Sequence, residues 1–306
     1  KMMTLYVAFE AVENGEISLD KKIKISKKAA SEPPSKLGLK AGQRIALRYL
    51  IRAAAIKSAN DAATAIGEAI EGSEAAFARR MNRTAKALGM KRTTFKNAHG
   101  LTQQGHLSTA RDMTILGRHV FYDYPEYYHL FSRRTANAGI KKVRHTNTRF
   151  LANYRGADGI KTGFTSAAGY TLTASAERGN ERIITTVFGG RSIATRNRQV
   201  AKLMDLGFKK APASVSLTKP SLPNYSSINL GAKKITRPSG VIQKSLFPKR
   251  RPSSDTAILA SVDLSTEIAR TLKMVMLSSE QSENLSAPQV HLANLDTEAS
   301  ATISSG

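Results

Sequence analysis

Residues 160–189 read IKTGFTSAAGYTLTASAERGNERIITTVFG and contain three predicted strands. Runs rich in β-branched and aromatic residues place the strands at 160–163, 170–177 and 182–189. Gly179-Asn180 between the last two runs is a hairpin signal, so these strands are expected to be antiparallel. A helix is predicted over 195–206, ended by Gly207 and apolar at Val200, Leu203 and Met204. This region therefore predicts an antiparallel sheet covered by a helix.

The first half of the chain is dominated by helical periodicity. The first segment has Met2, Leu5, Tyr6, Phe9 and Val12 on one face, and Asn14-Gly15 is typical of a left-handed C-cap. Further helices are predicted at 47–56, 61–70, 74–88 and from 109 onward, with a short strand at 21–25. Taken with the sheet, this order predicts a mixed α/β (α+β) fold, an antiparallel sheet flanked by helices with an α-helical subdomain.

Patterning thins after about residue 212, where Ser, Pro and Asn become frequent. We therefore predict a domain at 1–211 and a low-complexity tail at 212–306 that is linker-like or disordered. Within the tail, a short amphipathic helix is predicted near 264–277.

Composition restricts the chemistry. The chain has no Cys, which excludes disulfides and thiolate metal sites. No HExxH spacing occurs, and none of the six His pairs with a second ligand on a helix face, so we predict no metal and no cofactor.

The net charge of +24 favours an anionic partner, but the basic residues are dispersed and no aromatic RNA-binding motif accompanies them. A solvated basic surface is favoured over a nucleic-acid site.

Three short motifs carry possible chemistry. Lys161-Thr162-Gly163 lies on a predicted strand, Ser58-Ala59-Asn60 lies at a break between helices, and Lys1 begins an apolar helix. Each motif could also have no catalytic role. Lys161-Thr162-Gly163 could be an ordinary strand end, Ser58 or Asn60 could cap a helix, and Lys1 could be an uninformative terminal residue. Their order and element types jointly match the Lys, Ser-x-Asn and Lys-Thr-Gly elements of penicillin-recognising serine enzymes.

Longer stretches make the resemblance specific. The sequence over nearly all of residues 1–211 is similar to the serine D-Ala-D-Ala carboxypeptidases, the low-molecular-mass penicillin-binding proteins. The matching stretches are KMMT (1–4), SANDA (58–62), NAHGL (97–101), GHLSTARDM (105–113), DGIKTGFT (158–165), AGY (168–170) and Gly207-Phe208.

The resemblance implies acyl transfer by a serine. Lys1 would be the general base, Ser58 would relay a proton, and Asn60 would orient the base or hold a substrate amide. Implied substrate-binding residues are Lys161, Thr162, Gly163, Phe164, Thr165 and Arg196. Thr162 would bind the terminal carboxylate together with Arg196, although Arg198 lies close by, and an amide near Phe164 or Thr165 would complete an oxyanion hole.

The family pattern requires a Ser three residues before Lys1, a position that the printed sequence does not include. We therefore expect an N-terminal truncation and no acyl-enzyme from the chain as printed. The implied partners are a peptidoglycan stem peptide ending in D-Ala-D-Ala and β-lactam inhibitors, without nucleic acid. The implied location is the periplasm or secreted cell envelope of a bacterium, and membrane association is not visible in the sequence.

Three other functions stay open. A β-lactamase of class A needs a deacylating Glu before Lys-Thr-Gly, but residues 127–160 contain no Glu. A catalytically dead peptidoglycan-binding protein and a basic nucleic-acid binder are the other two alternatives.

Overall fold

The computed structural model describes residues 1–212 and 218–225. All of these belong to one compact unit, Lys1–Lys233, and the second unit, Lys234–Gly306, lies outside the described residues. The predicted helix near 264–277 and most of the predicted tail therefore lie outside them too. Described residues 218–225 contact the domain: the Tyr225 hydroxyl bonds Glu10 and the Thr218 carbonyl accepts a bond from Arg118. The boundary near 212 stays a prediction.

The elements follow one another in a helical first half and a sheet-containing second half. In chain order they are α1 Met2–Glu13, β1 Lys22–Lys24, α2 Lys27–Ser31, β2 Arg44–Ala46, α3 Leu47–Arg52, a π-helix Ala53–Lys57, α4 Asn60–Glu71, α5 Glu74–Ala87, α6 Ala110–Asp123, α7 Pro125–Tyr128, a 3-10 helix His129–Phe131, β3 Thr135–Asn137, β4 Lys142–Arg144, α8 Thr148–Asn153, β5 Ala157–Thr165, β6 Gly169–Arg178, β7 Glu181–Gly190 and α9 Ile193–Lys210.

The main sheet has the strand order β5-β6-β7, and both pairs are antiparallel. The hairpin between β6 and β7 closes at the pair Arg178↔Glu181, across the predicted Gly179-Asn180 turn. In β5, Lys161 pairs with Thr173 and Gly163 with Thr171. Two further sheets, β1-β2 and β3-β4, have two strands each. The predicted mixed fold with an antiparallel sheet flanked by helices is confirmed.

Helices cover both faces of the main sheet, and alternate residues of β6 face one helix or the other. Leu172, Ala174 and Ala176 pack with Val200 and Met204 of α9. On the other face, Gly117 of α6 lies so close that an added Cβ would be 3.2 Å from Thr173 Cγ2. The three layers α9, sheet and α6 follow from the period of two along the strand.

The helical subdomain is built around α1, whose residues from Met2 to Ala11 are all buried. The Tyr6 hydroxyl donates a hydrogen bond of 2.6 Å to Asp123 at the end of α6. Ridges of α1 contact α4, α5 and α6, so the start of α1 is held by the centre of the domain. A residue at this start is fixed as firmly as the core.

One local expectation was wrong. The helix α9 continues through Gly207 to Lys210, and Gly207 serves instead to admit Ile183, whose Cγ2 would lie 3.0 Å from an added Cβ. A glycine that permits close packing has the same sequence signal as a glycine that ends a helix, which explains the error.

The caps also differ in part from expectation. Neither Ser58 nor Asn60 caps α4, because the N-cap residue is Ala59 and it makes no side-chain cap bond. Thr109 does cap α6, accepting a bond from the Asp112 amide, whereas the Asp112 carboxylate bonds Arg92 and Thr93. Ser73 caps α5, and its side chain accepts a bond from the Ala76 amide.

Within the described residues, no helix combines the length and the apolar character that crossing a bilayer requires.

We predict that Gly67→Ala destabilises the subdomain. The added Cβ would lie 2.8 Å from Cδ1 and 2.9 Å from Cγ of Phe77, a fully buried ring that joins α5 to α4. Overpacking should outweigh the gain in helix propensity and lower the free energy of unfolding by about 1–2 kcal/mol.

Urea denaturation of the purified chain measures this change. Glu68→Ala is the control, since it alters a half-buried neighbour on the same helix without adding volume. Unchanged or higher stability of Gly67→Ala would contradict the packing argument.

Candidate active site

Lys1 stands at the N-cap of α1, and its Nζ donates a hydrogen bond of 2.5 Å to the carbonyl of His99. Thr4, one turn later, donates a bond of 2.5 Å to the carbonyl of Ala98. The segment 98–99 therefore fixes the first turn of α1. Burial of the ammonium lowers the pKa of Lys1 to about 8, although the charges of Glu32 and Asp61 oppose this shift. A lysine with such a pKa is partly neutral near physiological pH and can accept a proton.

The two carboxylates that act on Lys1 are fixed by the helical subdomain. Asp61 is fully buried and accepts hydrogen bonds from the amides of Leu37, Gly38 and Leu39. Glu32 is also buried and accepts a bond of 2.9 Å from Thr64. Because both are held by other groups, they influence Lys1 through their charge rather than by binding it.

Ser58 ends the π-helix in the left-handed conformation, with φ 62° and ψ 35°. Among the described residues it is the one non-glycine with positive φ. This conformation breaks the helix and leaves Ser58 half-buried at the junction with α4. The placement agrees with the predicted break, and a strained backbone at such a junction is typical of functional positions.

Asn60 opens α4 and is buried. Its Nδ2 donates a bond of 2.8 Å to the carbonyl of Pro33, and its amide donates one of 2.7 Å to Ser35. The side-chain amide is therefore anchored on one side to the loop before β2, which leaves its Oδ1 as the group available for the predicted contact.

Lys161 lies on β5 and is 6% exposed. Its Nζ donates to the carbonyl of Thr162, at 3.2 Å, and forms no ion pair with any residue in the described ranges. Burial lowers the pKa of Lys161 far below its ordinary value, and the charges of Lys1 and Arg196 lower it further. The structure therefore brings the three predicted cations Lys1, Lys161 and Arg196 into one electrostatic neighbourhood.

Arg196, in the first turn of α9, reaches the strand that pairs with Lys161-Thr162-Gly163. The residue is 3% exposed, and its guanidinium donates to the carbonyl of Thr171 at 3.1 Å and to Asn197 Oδ1 at 2.8 Å. Arg198 is exposed. Of the two arginines, Arg196 is therefore the one buried against β6.

Gly163 lies directly opposite Thr171 in the sheet. A Cβ at Gly163 would lie 2.6 Å from Thr171 Oγ1, so glycine is needed here for the Thr171 side chain to keep its position. The following residues differ in exposure: Phe164 is 55% exposed, with its ring 4.4 Å from that of Tyr170, and Thr165 is half-buried. Since β5 is an edge strand, alternate backbone amides here lack a strand partner.

Thr146 joins the helical subdomain to the strand. Its amide donates a bond of 3.0 Å to Ile56 in the π-helix, and its hydroxyl lies 2.7 Å from that of Thr162. Thr146 thus links Thr162 of the third motif to Ile56, which lies two residues before Ser58 of the second motif.

Sequence reasoning missed several contributors to the site. Thr146 and the His99 carbonyl act through positions that no motif spacing reveals, although NAHGL (97–101) was among the family stretches. His145 is also buried, and burial with the charge of Lys161 lowers the pKa of its imidazole to about 3. It therefore stays neutral beside Lys161 at physiological pH, adding no further positive charge.

One group of side chains has the composition of a metal site. Donor atoms of Glu32, Glu74 and His99 lie within 4.8 Å of one another, and His99 Nε2 is 3.4 and 3.5 Å from the two carboxylates. However, His99 Nδ1 accepts a bond from the Leu101 amide, so Nε2 carries the ring proton and points to the carboxylates. A protonated Nε2 cannot ligate a metal, and burial lowers the pKa of His99 to about 4, so its imidazole is neutral beside the two carboxylates at physiological pH. The absence of a metal from the function stays a prediction.

The arrangement suits a particular chemistry. A lysine of lowered pKa can serve as a base, a hydroxyl at Ser58 can pass on a proton, and desolvated cations at Lys161 and Arg196 can bind a carboxylate. Such a site favours acyl transfer on a substrate that ends in a free carboxylate.

Comparisons with known proteins agree with this chemistry. The family model described as D-alanyl-D-alanine carboxypeptidase matches residues 1–192. D-alanyl-D-alanine carboxypeptidase DacF of Bacillus subtilis is 40% identical over 216 residues, covering 69% of this chain and 55% of the relative. DacC of Escherichia coli is 34% identical over 248 residues, covering 76% and 62%. The chain thus spans about three fifths of these relatives.

Solved structures give the same result. The D-alanyl-D-alanine carboxypeptidase DacD from Francisella tularensis has a TM-score of 0.65 at 31% identity, covering 68% of this chain and 63% of that one. Penicillin-binding protein D2 from Listeria monocytogenes, in its cefotaxime-bound form, has a TM-score of 0.61 at 36% identity, covering 68% and 84%. With the fold, the motif positions and the family match in agreement, this chain belongs to the D-alanyl-D-alanine carboxypeptidase family of serine peptidases.

Proposed function

We propose that this protein removes the terminal D-Ala from peptidoglycan stem peptides, through a serine acyl-enzyme that requires a Ser three residues before Lys1. The observation that carries the proposal is the buried group of Lys1, Lys161 and Arg196, which the described residues leave without a carboxylate bonded to Lys161. Buried cations are costly unless an anion compensates them, and a substrate carboxylate would do so.

In the proposed first step, the serine Oγ attacks the carbonyl carbon of the penultimate D-Ala and its proton passes to Lys1 Nζ. A Ser three residues before Lys1 would lie one helical turn from it in a helix that continues α1 upstream of Met2. The hydrogen bond from Lys1 to the His99 carbonyl fixes Nζ in one place, so the base need not be ordered during reaction.

In the second step the C–N bond breaks, and the leaving nitrogen takes the proton back from Lys1 through the Ser58 hydroxyl. Water then attacks the ester, gives one proton to Lys1, and the serine regains its hydroxyl proton as the shortened peptide leaves. Asn60 would hold the substrate amide through Oδ1, because its Nδ2 is engaged with Pro33. An amide of β5 near Phe164 or Thr165 would stabilise the oxyanion, with Gly163 permitting close approach.

Thr162 and Arg196 would bind the terminal carboxylate, and Lys161 would add positive potential. No cofactor or metal takes part in this scheme. β-Lactams would be inhibitors because they acylate the same serine, and the Listeria relative is known in a form bound to cefotaxime. The substrate implies a periplasmic or secreted location in the bacterial envelope.

Among the alternatives, the β-lactamase and the catalytically dead wall-binding protein use the same site. The first is distinguished by rapid turnover of penicillin, and the second by wall binding without release of D-Ala.

The direct test compares the printed chain with a version that carries Ser at the third position before Lys1. We expect D-Ala release from an N-acylated peptide ending in D-Ala-D-Ala, and a covalent penicillin adduct by mass spectrometry, only from the extended version. An extended version with Ala at that position is the control. An adduct on the printed chain, or none on the folded extended chain, would contradict the proposal.

The pH dependence should report the base. Because burial holds the pKa of Lys1 at about 8, below its ordinary 10.5, the neutral form gains population as pH rises. Acylation of the extended chain by penicillin should increase with pH, with a midpoint near 8. Glu32→Gln should lower that midpoint, since the negative charge of Glu32 raises the pKa of Lys1.

Stopped-flow acylation rates between pH 6 and 10 provide this midpoint. Glu68→Gln removes a half-buried carboxylate of α4 and is expected to leave the midpoint of the pH dependence unchanged. Equal midpoints in all three proteins would show that Glu32 does not act on the base.

The two neighbouring arginines allow a matched comparison. Arg196→Gln should reduce kcat/KM for the D-Ala-D-Ala peptide by about 100-fold, because it removes a buried charge from the carboxylate site. Arg198→Gln removes an exposed charge two residues away and should change kcat/KM less than about twofold. Equal effects of the two substitutions on peptide turnover would refute the assignment to Arg196.

A further inference from the structure

A run of unopposed positive charge precedes the Lys161 strand. Between Glu126 and Asp158 the sequence contains no Asp or Glu. Seven basic residues lie in the same interval: Arg133, Arg134, Lys141, Lys142, Arg144, Arg149 and Arg155. Five of them belong to residues 133–144, here called the basic hairpin, which contains β3 and β4.

All seven side chains are exposed, and none forms an ion pair or a side-chain hydrogen bond with another described residue. Two arginines outside the interval show how such cations can be neutralised. Arg80 bonds Glu10, Glu16 and Glu71, and Arg182 bonds Asp158 and Glu177. The interval concentrates seven cations with no acidic residue among them, and an anionic partner would relieve their mutual repulsion.

The basic hairpin is a fixed platform. Ala136, Ala138 and Val143 are buried, so the intervening side chains point outward. Gly139 lies against Tyr49, whose Cγ would be 2.9 Å from an added Cβ, and Arg52 of α3 donates to the carbonyl of Asn137. Lys142 and Arg144 flank the buried Val143 and share the outward face, at a spacing of about 7 Å. The fold itself thus arranges these charges in a row.

This row leads to the site. The His145 amide donates to the carbonyl of Arg134, and the next residue, Thr146, bonds Thr162 beside Lys161. A polymer lying along the basic hairpin would therefore reach the strand at which the proposed reaction occurs. An RNA- or DNA-binding surface would be expected to interleave stacking aromatics, and residues 133–144 contain no Phe, Tyr or Trp.

We propose that the basic hairpin binds carboxylates of the peptidoglycan strand whose stem peptide occupies the site, and so selects polymeric over short substrates. The inference rests on the proposed function, because it names the substrate form that the same site would use. The contacts are long-range charge attractions to several carboxylates rather than one pocket, so they should weaken steeply with salt.

The test uses the full chain with the triple substitution Lys141→Gln, Lys142→Gln and Arg144→Gln. Two probes separate the hairpin from the site: isolated peptidoglycan sacculi, and a short N-acylated peptide ending in D-Ala-D-Ala. We expect the triple variant to lose about tenfold in affinity for sacculi at low salt and to show a flatter salt dependence. Affinity for the short peptide should be unchanged.

The control variant carries Lys202→Gln, Lys209→Gln and Lys210→Gln, which remove the same charge from exposed positions on α9. Equal losses in the two triple variants would overturn the proposal, as would a loss confined to anionic vesicles or DNA. Failure of every variant to bind the short peptide would instead refute the proposed function, while a selective loss of sacculus binding would still support the hairpin.

Discussion

The burial of positive charge beside the start of α1 is the constraint on which the arrangement depends. Lys1 and Lys161 are far apart in the sequence, yet the pKa of Lys161 is lowered by burial and further by the charge of Lys1. A fold gains nothing in stability from two desolvated cations unless other groups hold them there. The carbonyl of His99, the charges of Glu32 and Asp61, and the bond between Thr146 and Thr162 are those groups. Each belongs to a different segment, so the complete domain is needed to form one site.

This dependence explains which features were predictable. The hairpin at Gly179-Asn180 and the helix α1 follow from local periodicity and turn chemistry, and the structure has them where expected. The motif residues were also recognisable, because Lys-Thr-Gly and Ser-x-Asn keep fixed residue types. What could not be predicted are contacts made by backbone atoms. A carbonyl is present at every position, so nothing in the letters 97–101 distinguishes the one that accepts the Lys1 bond.

The role of a glycine is likewise hard to predict from the sequence. Gly207 was expected to end α9, but the helix continues and the residue instead admits Ile183. Gly117 and Gly67 likewise lie within helices at close contacts. Whether a glycine serves the backbone or a neighbour depends on what packs against it, which is a property of the tertiary structure. The choice between Arg196 and Arg198 was of this kind as well, since only burial separates them.

The conformation of Ser58 has a consequence for how the sequence can vary. Its left-handed backbone would be adopted most easily by glycine, which lacks the Cβ responsible for the strain. Glycine would, however, remove the hydroxyl that the proposed proton transfer uses. Low backbone strain therefore favours glycine at position 58, whereas the proposed proton transfer requires serine. A sequence optimised for stability alone would move away from serine here, so its retention in a stable variant would be a marker of preserved chemistry rather than of packing.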